Sequence, residues 1–130
     1  MRLIPVLTLC LALAAPAFAK PHLREVPEID DTLMQIAIAD EIRKTCDDIN
    51  ARMIRAFAQV TQLESRAKSL GYSSDEIDDY VSSKSEKRRM REKASGWLAA
   101  QGVKADDDKA LCAFGKAQIK KDTYIGSLLR

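Results

Sequence analysis

The chain has 130 residues and a formal net charge of +2; 46% of its residues are hydrophobic and 31% are charged. This length favours a single domain, and the hydrophobic fraction excludes a wholly disordered chain. The charged fraction excludes a protein embedded entirely in a membrane. Three cysteines are an awkward number for an exported protein, because disulfides use them in pairs.

The first 19 residues predict a secretory signal peptide. Arg2 supplies the positive start, residues 3–15 form an apolar run, and Ala17-Phe18-Ala19 is the small-x-small pattern that signal peptidase cleaves. We expect cleavage after Ala19 and a periplasmic mature protein; the alternative is an uncleaved N-terminal anchor. Without the first 19 of its 130 residues the chain has 111, and the loss of Arg2 lowers the net charge from +2 to +1.

The mature chain begins with a predicted arm and a predicted long helix. Residues 20–30 contain two prolines and few apolar residues, so we expect an extended arm. Residues 31–70 contain neither proline nor glycine and predict one helix. A bend is expected near residues 45–50, because aspartate and asparagine are weak helix formers.

Two further helices are predicted downstream. Residues 74–101 form the second, opened by a Ser73-x-x-Glu76 capping box and closed by a glycine. Residues 106–121 form the third, and residues 125–130 are an apolar tail. No segment alternates apolar and polar residues as a strand would. The expected fold is therefore all-α, a small bundle of three main helices in a single domain over residues 31–130.

An apolar stripe runs along the first predicted helix with spacings of four and three residues, which is typical of a helix that packs lengthwise against another helix. Its members are Ile42, Cys46, Ile49, Met53, Ala56, Val60, Leu63, Ala67 and Leu70.

The two cysteines that remain after cleavage predict a structural disulfide. Cys46 and Cys112 each lie on an apolar stripe, and the periplasm is oxidising. The bond would close a loop of about 67 residues and stabilise the fold by about 4 kcal/mol. The alternative is a redox pair, but the chain has no Cys-x-x-Cys motif, and Lys44 is the only basic group close to either sulfur.

Few residues favour catalysis or metal binding. His22 is the only histidine and lies in the predicted arm, so histidine-based or zinc-based chemistry lacks its usual residues. Asp106, Asp107 and Asp108 suit the start of a helix better than a calcium loop, because no glycine and no closing glutamate follow at the required spacing. We expect no enzyme, no cofactor and no metal, although a purely carboxylate-based enzyme stays open.

The second predicted helix carries its acidic residues first and its basic residues afterwards. This order suits the helix dipole, which is the structural interpretation. The functional interpretation is a docking face for an acidic partner or an anionic membrane surface. Nucleic acid is not expected, because no aromatic residues are interleaved there. The candidate docking residues are Lys84, Lys87, Arg88, Arg89, Arg91 and Lys93.

Two aromatic residues stand beside glycines on either side of the last turn. Trp97 follows Gly96 and Phe114 precedes Gly115, which suits close packing of helices, so both aromatics are expected in the core. The alternative is a ligand pocket lined by Trp97, Tyr80 and Phe57.

The chain resembles a family of small exported alphaproteobacterial proteins of unknown function, over roughly residues 28–130. The resemblance rests on the signal peptide and on four short motifs. These are Glu41-Ile42-Arg43 before Cys46, Leu70-Gly71-Tyr72, Cys112-Ala113-x-Gly115, and Ile125-Gly126-x-Leu128-Leu129-Arg130.

Genes of that family lie among those for the proton-pumping NADH:quinone oxidoreductase, respiratory complex I. The resemblance implies a non-catalytic accessory subunit or assembly factor on the periplasmic side of that enzyme, and it carries over no catalytic residue. Two alternatives stay open from the residues themselves: a free periplasmic stress chaperone that loosens at acidic pH, and a small-ligand binder built around Trp97.

Overall fold

The computed structural model describes residues 19–130, which are helical apart from short connections. All but the last residue of the predicted signal peptide therefore lie outside the described residues. Within residues 19–130 there are six α-helices rather than the three expected: α1 (Pro27–Thr45), α2 (Met53–Ser69), α3 (Ser74–Ser82), α4 (Lys84–Ala99), α5 (Asp108–Lys121) and α6 (Tyr124–Ser127).

The first predicted helix is two helices, because the expected bend is a complete break. The backbone becomes extended at Cys46, with φ −107° and ψ 110°, and helical structure resumes only at Met53. The residues between pair with the C-terminus instead of continuing the helix. Asn50 and Arg130 exchange two backbone hydrogen bonds of 2.8 Å, and the amide of Arg52 donates to the carbonyl of Leu128.

The second predicted helix is also divided. Ser83 adopts an extended conformation, with φ −61° and ψ 131°, and its side chain caps α4 by accepting from the amide of Glu86. The predicted capping box at the start of α3 is confirmed, because Ser73 and Glu76 each bond to the other's backbone amide. Gly71 ends α2 with a positive φ of 98°, as the glycine stop predicts.

The segment predicted as an extended arm is largely structured. Leu23–Glu25 form a short 3-10 turn, and the Leu23 side chain is only 2% exposed. Helix α1 then begins at Pro27, inside the predicted arm, since proline is well suited to the first helical position. Burial of Ile29 draws this first turn onto the core.

Helix α1 is the centre of the fold, since it contacts α2, α4, α5 and α6. Its Ile42 is completely buried, and a Cβ on Gly115 of α5 would lie 2.7 Å from it, so close packing here requires a glycine. The C-terminal tail packs on the same core, and Ile125, Leu128 and Leu129 are each 1% exposed.

Candidate functional site

The predicted disulfide is confirmed. Cys46, at the C-terminal end of α1, is bonded to Cys112 of α5, with an S–S distance of 2.01 Å and a Cα–Cα distance of 5.7 Å. Cys46 is buried and Cys112 partly buried. The bond fixes the end of α1 to α5 at the point where the chain leaves the helix.

A carboxylate buried in the first turn of α1 forms the strongest electrostatic cluster in the described residues. Asp30 is 1% exposed, yet each of its oxygens is bound. Arg89 of α4 contacts both Asp30 oxygens, with Nη2 2.5 Å from Oδ1, and the Lys93 Nζ is 2.5 Å from Oδ2. The Tyr80 hydroxyl of α3 also donates to Oδ1. One carboxylate therefore joins three helices.

These contacts determine the ionisation of the cluster. Burial alone would raise the pKa of Asp30, but hydrogen bonds from Arg89, Lys93 and Tyr80 outweigh it and lower the pKa to about 2. Burial and the adjacent carboxylate raise the pKa of Tyr80. Asp30 is therefore a carboxylate and Tyr80 a neutral donor at any ordinary pH.

A second buried carboxylate extends the cluster. Glu86 is 6% exposed and accepts a 2.8 Å bond from Nε of Arg89. Arg24, in the 3-10 turn, pairs with the other oxygen of Glu86. The Asp30 cluster, comprising Asp30, Tyr80, Glu86, Arg89 and Lys93, is fully hydrogen-bonded, which is the requirement for stable buried charge.

Two residues of the predicted docking face belong to this cluster. Arg89 and Lys93 point inward, with side chains 27% and 31% exposed, because they neutralise Asp30. They are not free cations for a partner. The other four candidates, namely Lys84, Lys87, Arg88 and Arg91, are exposed. We call these four the α4 basic stripe.

An exposed apolar patch on α2 was not anticipated as a surface. Ile54 is 91% exposed, Phe57 74%, Met53 62% and Val60 43%. Their spacing places them on one side of the helix, whereas Ala56, Leu63 and Ala67 face the core. These four exposed residues, the α2 patch, form the largest group of exposed apolar side chains in the part of the chain that is described.

Two apolar grooves lie on either side of α1. The first, about 370 Å³, lies between α1 and α2 and is bordered by Met53, Phe57 and Val60 of the α2 patch. The second, about 710 Å³, lies between α1 and α4. Leu33 and Ala37 of α1 line both grooves. The α2 patch is therefore continuous with a broad apolar surface along α1.

Trp97, Tyr80 and Phe57 do not line a common pocket, which was the alternative to a core position for Trp97. Trp97 packs edge-on against Phe114 at 6.2 Å between ring centroids, which agrees with the core position expected for both. Tyr80 is buried in the Asp30 cluster, and Phe57 lies exposed on α2. The three aromatics thus lie in three different environments.

The remaining candidates have local structural roles. His22 caps the 3-10 turn, its Nδ1 accepting from the amide of Arg24. Asp107 caps α5 by accepting from the amide of Ala110, as the helix-start interpretation predicts. Within residues 19–130, no group of three or more His, Cys, Asp or Glu side chains is arranged to hold a metal ion. None of the helices described is both long and apolar enough to cross a membrane.

A signal for the Asp30 cluster was present in the sequence. Asp30 stands four residues before Met34, in step with Ile38 and Ile42, so a helix places it on the buried face. Arg89 and Lys93 share the same spacing of four residues. Lys84 and Arg88, and Lys87 and Arg91, are also four residues apart, so the sequence indicates a buried carboxylate but not which cations bind it.

Comparison with protein families gives one result. Residues 21–130 match a family described as "Family of unknown function (DUF5333)". Neither the comparison with curated proteins nor that with solved structures gives a significant match. Since the matched region covers most of the chain, the protein belongs to this family of unknown function.

Proposed function

We propose that this protein is a non-catalytic, periplasmic interaction protein that docks onto a partner protein through the α2 patch and the adjoining groove. The observation that carries the proposal is the exposure of Ile54, Phe57 and Met53 on one helix face. Large apolar side chains grouped on a surface mark an interaction site. Aromatic residues and methionine are also enriched in the cores of protein interfaces.

The charged groups near the α2 patch are engaged within the chain. The two cations at the start of α2 are engaged within the chain: Arg52 donates to the carbonyl of Leu129 and Arg55 to that of Ser127. Asp40, beside the groove, is paired with Arg43 and Lys44. The charged side chains beside the patch are thus held by contacts within the chain, and the apolar area that they border fits an apolar helix face of a partner.

The partner to be tested first is respiratory complex I, because the sequence motifs resemble a family whose genes accompany it. In this proposal the protein is an accessory subunit or assembly factor on the periplasmic side of that enzyme. The Cys46–Cys112 disulfide supports a location in an oxidising compartment.

The experiment is affinity purification of the tagged protein from membranes solubilised in mild detergent. We expect complex I subunits to co-purify with the wild-type protein and to be lost with Ile54→Ser/Phe57→Ser. Both side chains are exposed, so the far-UV circular dichroism and the melting temperature should be unchanged. Gln62→Ser, on the polar side of the same helix, is the matched control and should retain the subunits. Absence of complex I subunits with the wild type, or equal recovery with the double variant, would overturn the proposal.

The groove between α1 and α4 supports a second candidate, a small-ligand-binding protein. Its volume of about 710 Å³ and its apolar lining are suited to a small apolar molecule. Mass spectrometry of the native protein and of its organic extract tests this candidate, which requires a stoichiometric small molecule.

The stress-chaperone alternative also uses an exposed apolar face and instead requires that the protein suppress aggregation of a client at acidic pH.

A further inference from the structure

The groove between α1 and α4 combines an apolar lining with charged side chains. Its volume of about 710 Å³ lies within the range of small-molecule sites, about 300–1,000 Å³. Apolar side chains from four helices line it, namely Leu33, Ile38, Val81, Met90, Leu98 and Leu111. A chain of methylene groups that lies in the groove is therefore removed from contact with water, which is favourable.

Only some of the charged side chains in this lining are free to meet a ligand. Asp40 and the buried Glu86 are each held by two cations of the chain. Within residues 19–130, the other four charged side chains of the lining have no oppositely charged group within 4.0 Å. These are the cations Lys87 and Arg91 and the acids Glu41 and Asp106.

The two free cations lie at the end of the groove that adjoins the first turn of α1. Arg89 of α4 binds Asp30 in that turn. Lys87 and Arg91 come two residues before and after Arg89, so α4 carries them to the same end. A guanidinium can bind two oxygens of a carboxylate or a phosphate at once, and an ammonium adds a further positive charge. This end of the groove is therefore suited to an anionic head group.

The two free acids lie at the other end of the groove, beside α5. Glu41 precedes Ile42, whose side chain packs against Gly115 of α5, and Asp106 lies in the loop just before α5. Glu41 follows Asp30 by eleven residues, about 16 Å along α1. This is about twice the Debye length of about 8 Å at physiological ionic strength, so the acids weaken the attraction at the cations only slightly. They disfavour an anionic group at their own end and thereby determine the orientation of a ligand.

We propose that the groove between α1 and α4 binds a single-chain amphiphile whose anionic head group is a carboxylate or a phosphate. The head group lies against Lys87 and Arg91, and the apolar chain extends over Met90 and Leu98 towards α5. The proposal rests on the second candidate function, small-ligand binding in the same groove, and does not involve the α2 patch.

The shape of the site favours one amphiphile over the surface of a membrane. The apolar lining is concave and lies between helices, where a flat bilayer does not reach it. Lys84 and Arg88, the other two members of the α4 basic stripe, do not line the groove. A flat anionic surface would meet all four cations, whereas a ligand in the groove reaches only Lys87 and Arg91. The two pairs of cations therefore distinguish the two sources of an anionic head group.

The first test is isothermal titration calorimetry of the purified protein, with its disulfide intact, at neutral pH. Decanoate, decanol and decylammonium have the same chain and differ in the charge of the head group. We expect one decanoate per protein chain, with a dissociation constant at least tenfold lower than that of either other probe. Octanoate should bind about tenfold more weakly than decanoate, because each buried CH₂ is worth about fourfold in affinity.

The outcomes of this titration separate the proposal from the function on which it rests. Equal affinity for the three ten-carbon probes overturns the anionic class and leaves small-ligand binding in place. Binding of none of the probes overturns both. Co-sedimentation of the protein with phosphatidylglycerol vesicles, without binding of decanoate, overturns the proposal in favour of a membrane surface.

The decisive test reverses the charges. Lys87→Glu/Arg91→Glu should raise the dissociation constant of decanoate at least tenfold and leave that of decanol unchanged. Lys84→Glu/Arg88→Glu makes the same change in charge on the same helix outside the groove, so it is the matched control. This control should bind decanoate within twofold of the wild type. Equal weakening by the two double variants overturns the proposal.

An independent measurement locates the ligand should a charge variant fail to fold. In crystals of the wild-type protein grown with 10-bromodecanoate, the anomalous signal of bromine should lie between Leu98 and Leu111, at the end of the groove away from the cations. A bromine beside Lys87, or one on the α2 patch alone, overturns the proposed site and orientation.

Discussion

Replacement of Asp30 by asparagine removes the charge at the centre of the Asp30 cluster while keeping its shape. A pKa lowered from 3.8 to about 2 corresponds to about 2 kcal/mol of stability, since one pKa unit is worth about 1.4 kcal/mol. Removing one member of a fully buried ion pair costs about 3–5 kcal/mol. Arg89 and Lys93 are 27% and 31% exposed and can be hydrated, so we expect Asp30→Asn to lose about 2–3 kcal/mol at neutral pH.

The pH dependence of this contribution has a definite sign. The folded protein holds the pKa of Asp30 at about 2, below the value of 3.8 for an unperturbed aspartate. The contribution of Asp30 to the free energy of unfolding is therefore complete above about pH 5. It is lost as the pH falls towards 2, because Asp30 takes up a proton more readily in the unfolded chain than in the folded protein. The difference in stability between the wild type and Asp30→Asn should shrink by about 2 kcal/mol between pH 6 and pH 2.

Urea unfolding followed by far-UV circular dichroism measures this difference at each pH. Comparing the two proteins at the same pH cancels the other carboxylates, several of which also have lowered pKa values. Asp31→Asn is the matched control: Asp31 is 54% exposed and binds only Lys93, so its loss should cost less than about 1 kcal/mol. A difference for Asp30→Asn that is the same at pH 6 and pH 2 would refute the ionised, buried Asp30.

Three further changes probe the packing of the helices. Cys46→Ser/Cys112→Ser should lower the free energy of unfolding by about 4 kcal/mol in urea, because the disulfide closes a loop of about 67 residues; a loss below about 1 kcal/mol would contradict this. Gly126→Ala would place a Cβ 1.9 Å from the carbonyl oxygen of Gln118 and should cost about 1–3 kcal/mol in thermal unfolding. Gly96→Ala, with open space around it, should be neutral or stabilising by up to about 1 kcal/mol; equal effects of the two alanines would be inconsistent with the packing.

The helical class of the fold could be predicted from periodicity, but the number of helices could not. The break between α1 and α2 depends on backbone hydrogen bonds between Asn50 and Arg130, which are far apart in the sequence. Local propensity indicated only a bend there. The pairing with the tail is a tertiary contact, and it completes the break that the weak helix formers between α1 and α2 allow.

The apolar stripe predicted along residues 42–70 illustrates a second limit. Ile42, Cys46 and Ile49 are buried as expected, whereas Met53 and Val60 are exposed. Periodicity identifies an apolar face of a helix but does not say what covers it. The same pattern therefore describes the core at one end and a candidate interface at the other.

The predicted docking face stays a prediction, and the sequence could not show that two of its residues form ion pairs within the chain. A run of cations on one helix gives no indication of which members find a buried carboxylate elsewhere in the chain. Asp30 neutralises Arg89 and Lys93, and the helix turn that carries them faces α1. The four cations that are not paired with Asp30 could be identified only once the ion pairs of Arg89 and Lys93 were known.

Helix α1 is fixed at both ends, and this determines how the grooves beside it can bind. The Asp30 cluster holds its first turn, and the Cys46–Cys112 disulfide holds its last. Both grooves use α1 as a shared wall, so a partner meets a surface that is already formed, and less conformational entropy is lost on binding. Cys46 and Cys112 line neither groove. Reduced protein that is still folded should therefore bind the partner more weakly although no contact residue has changed, whereas unchanged binding would show that α1 does not depend on the disulfide for its position.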